Sequence, residues 1–326
     1  MIQRLLLCMG ESTDPWDNLA LEENIAETEE EDACILFLWQ NLDTVVIGRN
    51  QCAWKECRLD LMEQEHVRLA RRQTGGGAVY HDLGNLNFSF ICAEKDNDIP
   101  KQLHTVIRAC NGLNIPAEIS GRNDLLVANH KFSGSAYRNH NGRSLHHGTL
   151  LVNSDTERLA RYLTPSREKL MAKGVDSVRS RVINLNTVRS GLTIEELKHS
   201  LCAAFSEEYG LPLEYVSSTR WKDQRFWNIA SRNKSREWNY GSDITGSWSS
   251  TRRFEWGEIE ICLTLEDNMI SEVQVYTDAL NEDLPKQLNE ALLGSIFIPS
   301  DITKKLSTPA LSDRERSDLC TFFTDL

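Results

Sequence analysis

Apolar and polar positions follow two periods along the chain, and these predict both strands and helices. Segments in which apolar residues recur at every second position, or form a short unbroken run, are typical of strands. They lie at residues 34–39, 44–47, 67–71, 78–81, 87–92, 125–128, 131–137 and 145–152. Apolar residues spaced three and four apart predict helices at residues 100–111, 156–163 and 193–209.

A further helix is predicted to start after Asp14, because aspartate caps helices well and Pro15 suits the first helical position. Its apolar face should carry Trp16, Leu19 and Ile25. The predicted strands and helices do not follow a regular β–α–β alternation. The fold class is therefore expected to be α+β.

After about residue 215 the pattern changes. Four tryptophans lie among charged and polar residues, at Trp221, Trp227, Trp238 and Trp248. Such a stretch is expected to connect two domains and to pack between them.

The last part of the chain regains a regular pattern. Residues 258–265 and 269–276 alternate around a polar turn at 266–268 and predict a hairpin, and helices are predicted at 284–293 and 312–323. A boundary near residue 246 divides the 326 residues into a large domain, 1–246, and a small α+β accessory domain, 247–326.

Composition excludes several classes of protein. A net charge of −12 argues against a general nucleic-acid binder. No apolar run approaches the roughly 18 residues of a membrane span, and the apolar stretch in residues 1–10 is too short for a signal peptide, so we expect a cytoplasmic protein. The nine cysteines include no CxxC pair, which favours reduced, buried thiols over a disulfide framework or a zinc site.

Charge is distributed unevenly along the chain. Residues 22–32 carry seven carboxylates and no base, a pattern typical of a solvated helix face and loop. Residues 167–189 carry six lysines and arginines against two acids, which indicates an anionic ligand or partner.

Three successive glycines, Gly75-Gly76-Gly77, lie between two predicted strands and follow Arg71-Arg72. Glycines let a ligand approach the main chain and let backbone N–H groups turn toward it, and guanidinium groups pair with phosphate oxygens. A flexible hairpin loop with solvated arginines would show the same residues. The segment is neither a Walker A loop, since no GK[ST] follows, nor a Rossmann loop by its spacing.

Lys131 opens a strand on which Gly134 and Ala136 alternate as small residues, leaving room on one face for a bulky group. A single lysine is by itself most often a surface residue. His146 and His147 begin the next strand, where neighbouring side chains point to opposite faces, so this pair is not expected to form a two-histidine metal site.

Taken together, the order and spacing of these segments resemble the lipoate–protein ligase family in its long bacterial form, which has its own C-terminal accessory domain. The resemblance runs from about residue 14 to residue 280. It rests on DTVVIGR at 43–49, WKEC at 54–57, Arg72, GGGAVYHDLGN at 75–85, GRND at 121–124, Lys131 with SGSAY at 133–137, HHGTLL at 146–151 and KGVDSVRSRV at 173–182. At Gln73-Thr74 the family more often has a small or basic residue followed by serine.

The resemblance implies a catalytic domain of the biotin/lipoate ligase type, related to class II aminoacyl-tRNA synthetases. It also implies two half-reactions: lipoate or octanoate reacts with ATP to give acyl-AMP and pyrophosphate, and a protein lysine then takes the acyl group. Mg²⁺ is expected with the nucleotide. The implied partners are the lipoyl domains of 2-oxoacid dehydrogenase E2 subunits and the glycine cleavage H protein, with no nucleic acid and no membrane.

The same resemblance implies the residue roles. Lys131 is expected to be the catalytic cation, reaching both the acyl carbonyl and the α-phosphate. The ATP and lipoyl-adenylate site is expected to comprise Arg72, Gly76, Gly77, Ala78, Val79, Tyr80, Asp124, Lys131, Gly134, Ala136 and His147. A separate adenylate-binding loop is expected at Lys173, Gly174, Arg179 and Arg181, in a basic segment that would cover the intermediate.

Three alternatives differ in their chemistry. An octanoyl or lipoyl transferase of the same fold would use a cysteine thioester and no ATP, but no cysteine lies between Cys110 and Cys202. A biotin ligase would carry a GRGRRGR-type loop, where this chain has RRQTGGG. A non-catalytic binding protein is disfavoured, because both Lys131 and the glycine-rich loop are present.

Overall fold

A computed structural model describes residues 1–121, 124–164, 182–240, 248–266, 269–295, 297, 299–307 and 311–324. The strands are β1 (Arg4–Met9), β2 (Ala33–Trp39), β3 (Thr44–Ile47), β4 (Arg68–Arg71), β5 (Val79–His81), β6 (Asn85–Ala93), β7 (Glu118–Ser120), β8 (Asp124–Val127), β9 (His130–His140), β10 (Arg143–Leu151), β11 (Leu213–Tyr215), β12 (Trp248–Phe254), β13 (Gly257–Glu266) and β14 (Met269–Thr277).

The helices alternate with these strands in no fixed order. They are α1 (Pro15–Thr28), α2 (Ala53–Glu56), α3 (Leu59–Gln64), α4 (Ile99–Gly112), α5 (Thr156–Tyr162), α6 (Leu185–Val188), α7 (Ile194–Tyr209), α8 (Gln224–Lys234), α9 (Arg236–Tyr240), α10 (Leu284–Leu292), α11 (Pro299–Leu306) and α12 (Asp313–Thr324). Among the residues described, no helix combines the length and the apolar character needed to cross a membrane.

The largest sheet has the strand order β11-β1-β2-β6-β10-β9-β8-β7. The first three strands pair in parallel, and each later pair is antiparallel. A mixed sheet of this kind, with helices on its faces, confirms the α+β prediction.

Both faces of this sheet are covered, and the period of two explains how. Leu5 and Leu7 of β1 join an apolar cluster with α4 and α7, whereas Leu6 and Cys8 join a second cluster with α1 and α8. Every side chain of β2 is apolar and buried for the same reason. The sheet is therefore a central layer between two layers of helices.

Helix α1 begins as the sequence predicts. The Asp14 side chain accepts hydrogen bonds from the backbone N–H groups of Trp16 and Asp17, and Pro15 is the first helical residue. Leu19 and Ile25 are buried against the sheet, so the predicted apolar face is the packed one.

A second, smaller sheet has the order β4-β3-β5 and packs against α2, α3 and α5. Strand β3 pairs in parallel with β4 and antiparallel with β5. The glycine-rich segment connects β4 to β5, so the same strand holds both ends of this loop.

The C-terminal unit contains the meander β12-β13-β14 and the helices α10, α11 and α12, packed around one apolar cluster. The predicted hairpin strands and the helices near residues 284 and 312 are present; two residues of the predicted turn, 267 and 268, lie outside the described residues. The boundary near residue 246 also lies outside them and stays a prediction.

The expectation that the tryptophans pack between the domains is wrong. Trp221 is buried next to α1, where its Nε1 donates to Glu29 Oε2 at 3.0 Å. Trp248 packs on aromatic residues of the C-terminal unit, and Trp227 is exposed on α8. The stretch after residue 215 instead forms α8 and α9, and α8 packs against α1 and the eight-stranded sheet.

The cap of α1 gives a first prediction. Asp14→Ala removes the acceptor for two N–H groups and should lower the free energy of unfolding by about 1 kcal/mol. Asp14→Asn keeps an acceptor oxygen and should stay close to the wild type. Urea unfolding of the three proteins checks this, and equal stability of the alanine variant would contradict the capping role.

Candidate active site

A cavity of about 400 Å³ lies where the eight-stranded sheet and the β4-β3-β5 sheet meet the C-terminal unit. Every described residue that the sequence assigns to the site lines it, namely Arg72, Gly76, Gly77, Ala78, Val79, Tyr80, Asp124, Lys131, Gly134, Ala136 and His147. The expected second loop at Lys173, Gly174, Arg179 and Arg181 lies outside the described residues, as do Arg122 and Asn123.

Arg72 is buried in the cavity wall and donates several hydrogen bonds to the glycine-rich loop. Its Nη2 donates to the carbonyl oxygens of Gly75 at 2.6 Å and Gly77 at 2.8 Å, and its Nε donates to Thr74 Oγ1 at 3.0 Å. Burial lowers the pKa of Arg72 to about 10, which leaves the guanidinium charged at neutral pH. The charge thus fixes the backbone of the loop.

This fixed backbone determines where the N–H groups of the loop point. A trans peptide directs its N–H opposite to its carbonyl, so the Gly76 and Ala78 N–H groups point away from Arg72. The Gly76 N–H accordingly donates to the Ala279 carbonyl of the C-terminal unit, at 3.3 Å. Ala78 itself lines the cavity, so its N–H is the candidate donor of the loop for a bound ligand.

Lys131 lies on β9 and forms an ion pair with Asp124 of β8, with Nζ 2.6 Å from Oδ1. A Cβ atom on Gly134 would lie 2.6 Å from the same Nζ. The room that Gly134 leaves is therefore occupied by the ammonium of Lys131, whose side chain is 21% exposed. A partly exposed cation facing a cavity suits an anionic ligand.

His147 connects the site to α1. Its Nδ1 lies 2.9 Å from Glu22 Oε1, and its Nε2 lies 2.8 Å from Thr74 Oγ1. Glu22 is only 3% exposed and also accepts a hydrogen bond from Ser89. The expectation that the acidic segment 22–32 is a solvated face is therefore wrong at Glu22, and it is also wrong at Glu23 and Glu29, which are buried as well.

His146 points to the opposite face of β10, as expected for its position. Its Nδ1 lies 2.8 Å from Gln102 Oε1 of α4, remote from His147 and its partners. Within the described ranges, no group of three or more His, Cys, Asp or Glu side chains has a metal-binding arrangement.

The C-terminal unit contributes a wall of the cavity that the sequence does not reveal. Leu280, Trp256 and Asp278 line it. An ion pair between Arg138 Nε and Glu282 Oε1, at 2.9 Å, joins the unit to the eight-stranded sheet. Such contacts join residues more than a hundred positions apart, so no local sequence pattern predicts them.

The cysteines lie elsewhere. All nine are free thiols, and no cysteine is among the described residues that line the cavity. Burial raises the pKa of Cys110 to about 12, so this thiol is not activated as a nucleophile.

Two family models match this chain, one in its large N-terminal part and one in its C-terminal unit. Residues 14–206 match the lipoyl protein ligase A/B catalytic domain. The chain belongs to this family. Residues 247–319 match the bacterial lipoate protein ligase C-terminus. The resemblance to the long form of lipoate–protein ligase is thereby confirmed, and with it the ligase fold and the assignment of this chain as a lipoate–protein ligase.

Solved structures agree with this membership. P. falciparum LipL1, in complex with lipoate, is 27% identical with a TM-score of 0.88, and the match covers 99% of this chain and 100% of that one. Lipoate-protein ligase A bound with ATP is 30% identical with a TM-score of 0.63, over 74% and 99% of the two chains. The T. acidophilum bi-partite lipoate protein ligase, described with its E2 lipoyl domain, is 30% identical with a TM-score of 0.64, over 76% and 100%.

Two buried histidines of this ligase give a prediction for pH. Burial, with smaller effects of nearby charges, lowers the pKa of His81 and His146 to about 3. The unfolded chain binds protons at these imidazoles below about pH 6.5, whereas the folded chain does not until about pH 3. The free energy of unfolding should therefore fall with decreasing pH in this window, by about 1.4 kcal/mol per unit for each histidine.

Urea unfolding between pH 7 and pH 5 checks this. The variants His81→Gln and His146→Gln should each show a shallower dependence on pH, whatever their stability at pH 7. A slope equal to that of the wild type in both would contradict the assignment of these groups.

Proposed function

We propose that this lipoate–protein ligase activates lipoate, or octanoate, with ATP and transfers the acyl group to a lysine of a lipoyl domain. The observation that carries the proposal is the single cavity that joins Lys131 to the loop fixed by Arg72, in a chain of this family. The ATP and lipoate of the two ligand-bound relatives are the substrates that this cavity would accept.

In the first step a carboxylate oxygen attacks the α-phosphorus, the bond to the β-phosphate oxygen breaks, and pyrophosphate leaves. Two anions must approach each other, so a cation between them lowers the barrier. Lys131 supplies this cation, and its ion pair with Asp124 holds it at the cavity until the substrates compete for it. The Ala78 N–H and its neighbours in the loop bind the adenylate, with Arg72 as their support.

The nucleotide also requires Mg²⁺. Carboxylate oxygens are the donors that this ion prefers, and Asp124 provides them beside the cation that meets the phosphates. Asp124 is therefore the proposed protein contact for Mg²⁺, which offsets phosphate charge when bound.

In the second step the acceptor amine attacks the acyl carbonyl, the bond to the phosphate oxygen breaks, and AMP and a proton are released. At a pKa near 10.4 only about one amine in a few thousand is neutral at pH 7. A position next to Lys131 lowers the pKa of that amine by like-charge repulsion. Lys131 thus acts in both steps.

The proposed acceptor proteins follow from the amine that the second step needs and from the similarity to ligases of known structure. The T. acidophilum ligase is described with its E2 lipoyl domain. For this chain we propose as acceptors the lipoyl domains of 2-oxoacid dehydrogenase E2 subunits and the glycine cleavage H protein.

The domain division is part of the same proposal. Residues 1–246 form the acyl-adenylating and transfer domain and 247–326 the accessory domain. The proposed compartment is the cytoplasm.

The first test is ATP dependence. Enzyme, lipoate and an unmodified lipoyl domain should give the lipoylated mass only when ATP is present, with pyrophosphate released. Acyl transfer from an octanoyl thioester without nucleotide would instead support a transferase of the same fold, although no cysteine lines the described part of the cavity.

The second test concerns Lys131. Lys131→Ala removes the cation and should slow adenylate formation roughly 100- to 1000-fold, by analogy with the loss of an oxyanion donor. Lys131→Arg should also slow adenylate formation, since the planar guanidinium group does not fit the space over Gly134 that the ammonium occupies. Lys198→Ala, which removes an ion pair with Glu195 on α7, is the control and should keep full rate. Near-wild-type adenylation by either Lys131 variant would show that Lys131 does not take part in the reaction.

A further inference from the structure

Four buried side chains form one hydrogen-bond chain from α1 to the glycine-rich loop. It runs from Glu22 through His147 and Thr74 to Arg72, with contacts of 2.9, 2.8 and 3.0 Å. None of the four residues is more than 7% exposed. We call this set the buried chain.

The chemistry of the end residues fixes the direction of two of the three contacts in the buried chain. Ionised Glu22 can only accept, so the Nδ1 of His147 donates to it. Arg72 can only donate, so Thr74 Oγ1 accepts from its Nε, and the same hydroxyl forms a second hydrogen bond with His147 Nε2.

Charge supports the same connection. The guanidinium of Arg72 is removed from water, which lowers its pKa, and the negative charge of Glu22 acts in the opposite direction. Glu22 is therefore a counter-charge for Arg72, although His147 and Thr74 lie between them. A buried cation without a counter-charge is costly.

We propose that Glu22 is a positioning residue for acyl adenylation, which acts through His147 and Thr74 to hold Arg72 and, with it, the carbonyls of Gly75 and Gly77. Loss of the chain lets these carbonyls turn, and the Ala78 N–H loses its fixed direction beside the cavity. This inference rests on the proposed function only where activity is measured; the order of the loop is tested without substrate.

Two variants interrupt the buried chain at different points. Thr74→Val is nearly isosteric and removes the hydroxyl that joins His147 to Arg72. Glu22→Gln removes the counter-charge and keeps the shape. Each should raise the KM for lipoate in pyrophosphate release roughly tenfold, with a smaller effect on kcat, and speed amide exchange at residues 75–78 to a similar extent.

The double variant distinguishes a chain from two separate effects. Residues that act through one another give non-additive changes. The pair Glu22→Gln and Thr74→Val should therefore raise KM by about as much as one of them alone, not by the roughly hundredfold product of independent effects.

Two further variants control for general loss of stability. Thr74→Ser keeps the hydroxyl and should restore both KM and loop exchange. Gln102→Met removes the matching contact of His146 on the other face of β10, so it should leave loop exchange and KM unchanged. Thermal unfolding of every variant identifies any that is not folded.

Loop exchange equal to the wild type in both single variants, or a double variant with additive effects, would overturn the inference. A wild-type protein that releases no pyrophosphate would instead refute the proposed function, and the exchange measurements would still decide the role of the buried chain.

Discussion

A buried guanidinium must direct its N–H groups to acceptors, and this requirement at Arg72 organises the site. The acceptors are Thr74 and the carbonyls of Val46, Gly75 and Gly77. The glycine-rich segment is therefore a fixed structure between β4 and β5. Gly75 packs directly on the backbone of Ala279 and Leu280, so the C-terminal unit contacts the same loop.

Lys131 illustrates the complementary requirement, a cation that is available to a ligand. It is partly exposed, it pairs with the carboxylate of Asp124, and the missing side chain of Gly134 gives its ammonium space. The site thus combines a buried cation that shapes the backbone, Arg72, with an accessible cation suited to chemistry, Lys131. The sequence places both residues in motifs, and only the structure separates their environments.

Local patterns predicted the parts of the fold that local physics determines. The cap at Asp14 and the alternation in β9 and β10 specify their elements without reference to the rest of the chain. Strand β1 was missed because its five-residue apolar core also suits other structures. Helices α8 and α9 were missed because their aromatic residues lie among charges, and burial against α1 decides which face is packed.

The candidate site was predictable as a set of residues and not as a network. The motifs led to eleven described residues that line one cavity. Glu22 could not be found in this way, because it lies in an acidic run whose composition is typical of a solvated face, and its partner His147 is 125 residues distant. The same holds for Leu280, which reaches the cavity through packing between units.

Isolation of the intermediate tests the central claim most directly. The enzyme is incubated with lipoate and ATP, separated rapidly from free nucleotide, and then mixed with an unmodified lipoyl domain. The account predicts bound lipoyl-AMP by mass spectrometry, followed by lipoylation of the acceptor without added ATP. An enzyme that carries no adenylate, or that holds the acyl group as a protein thioester, would contradict it.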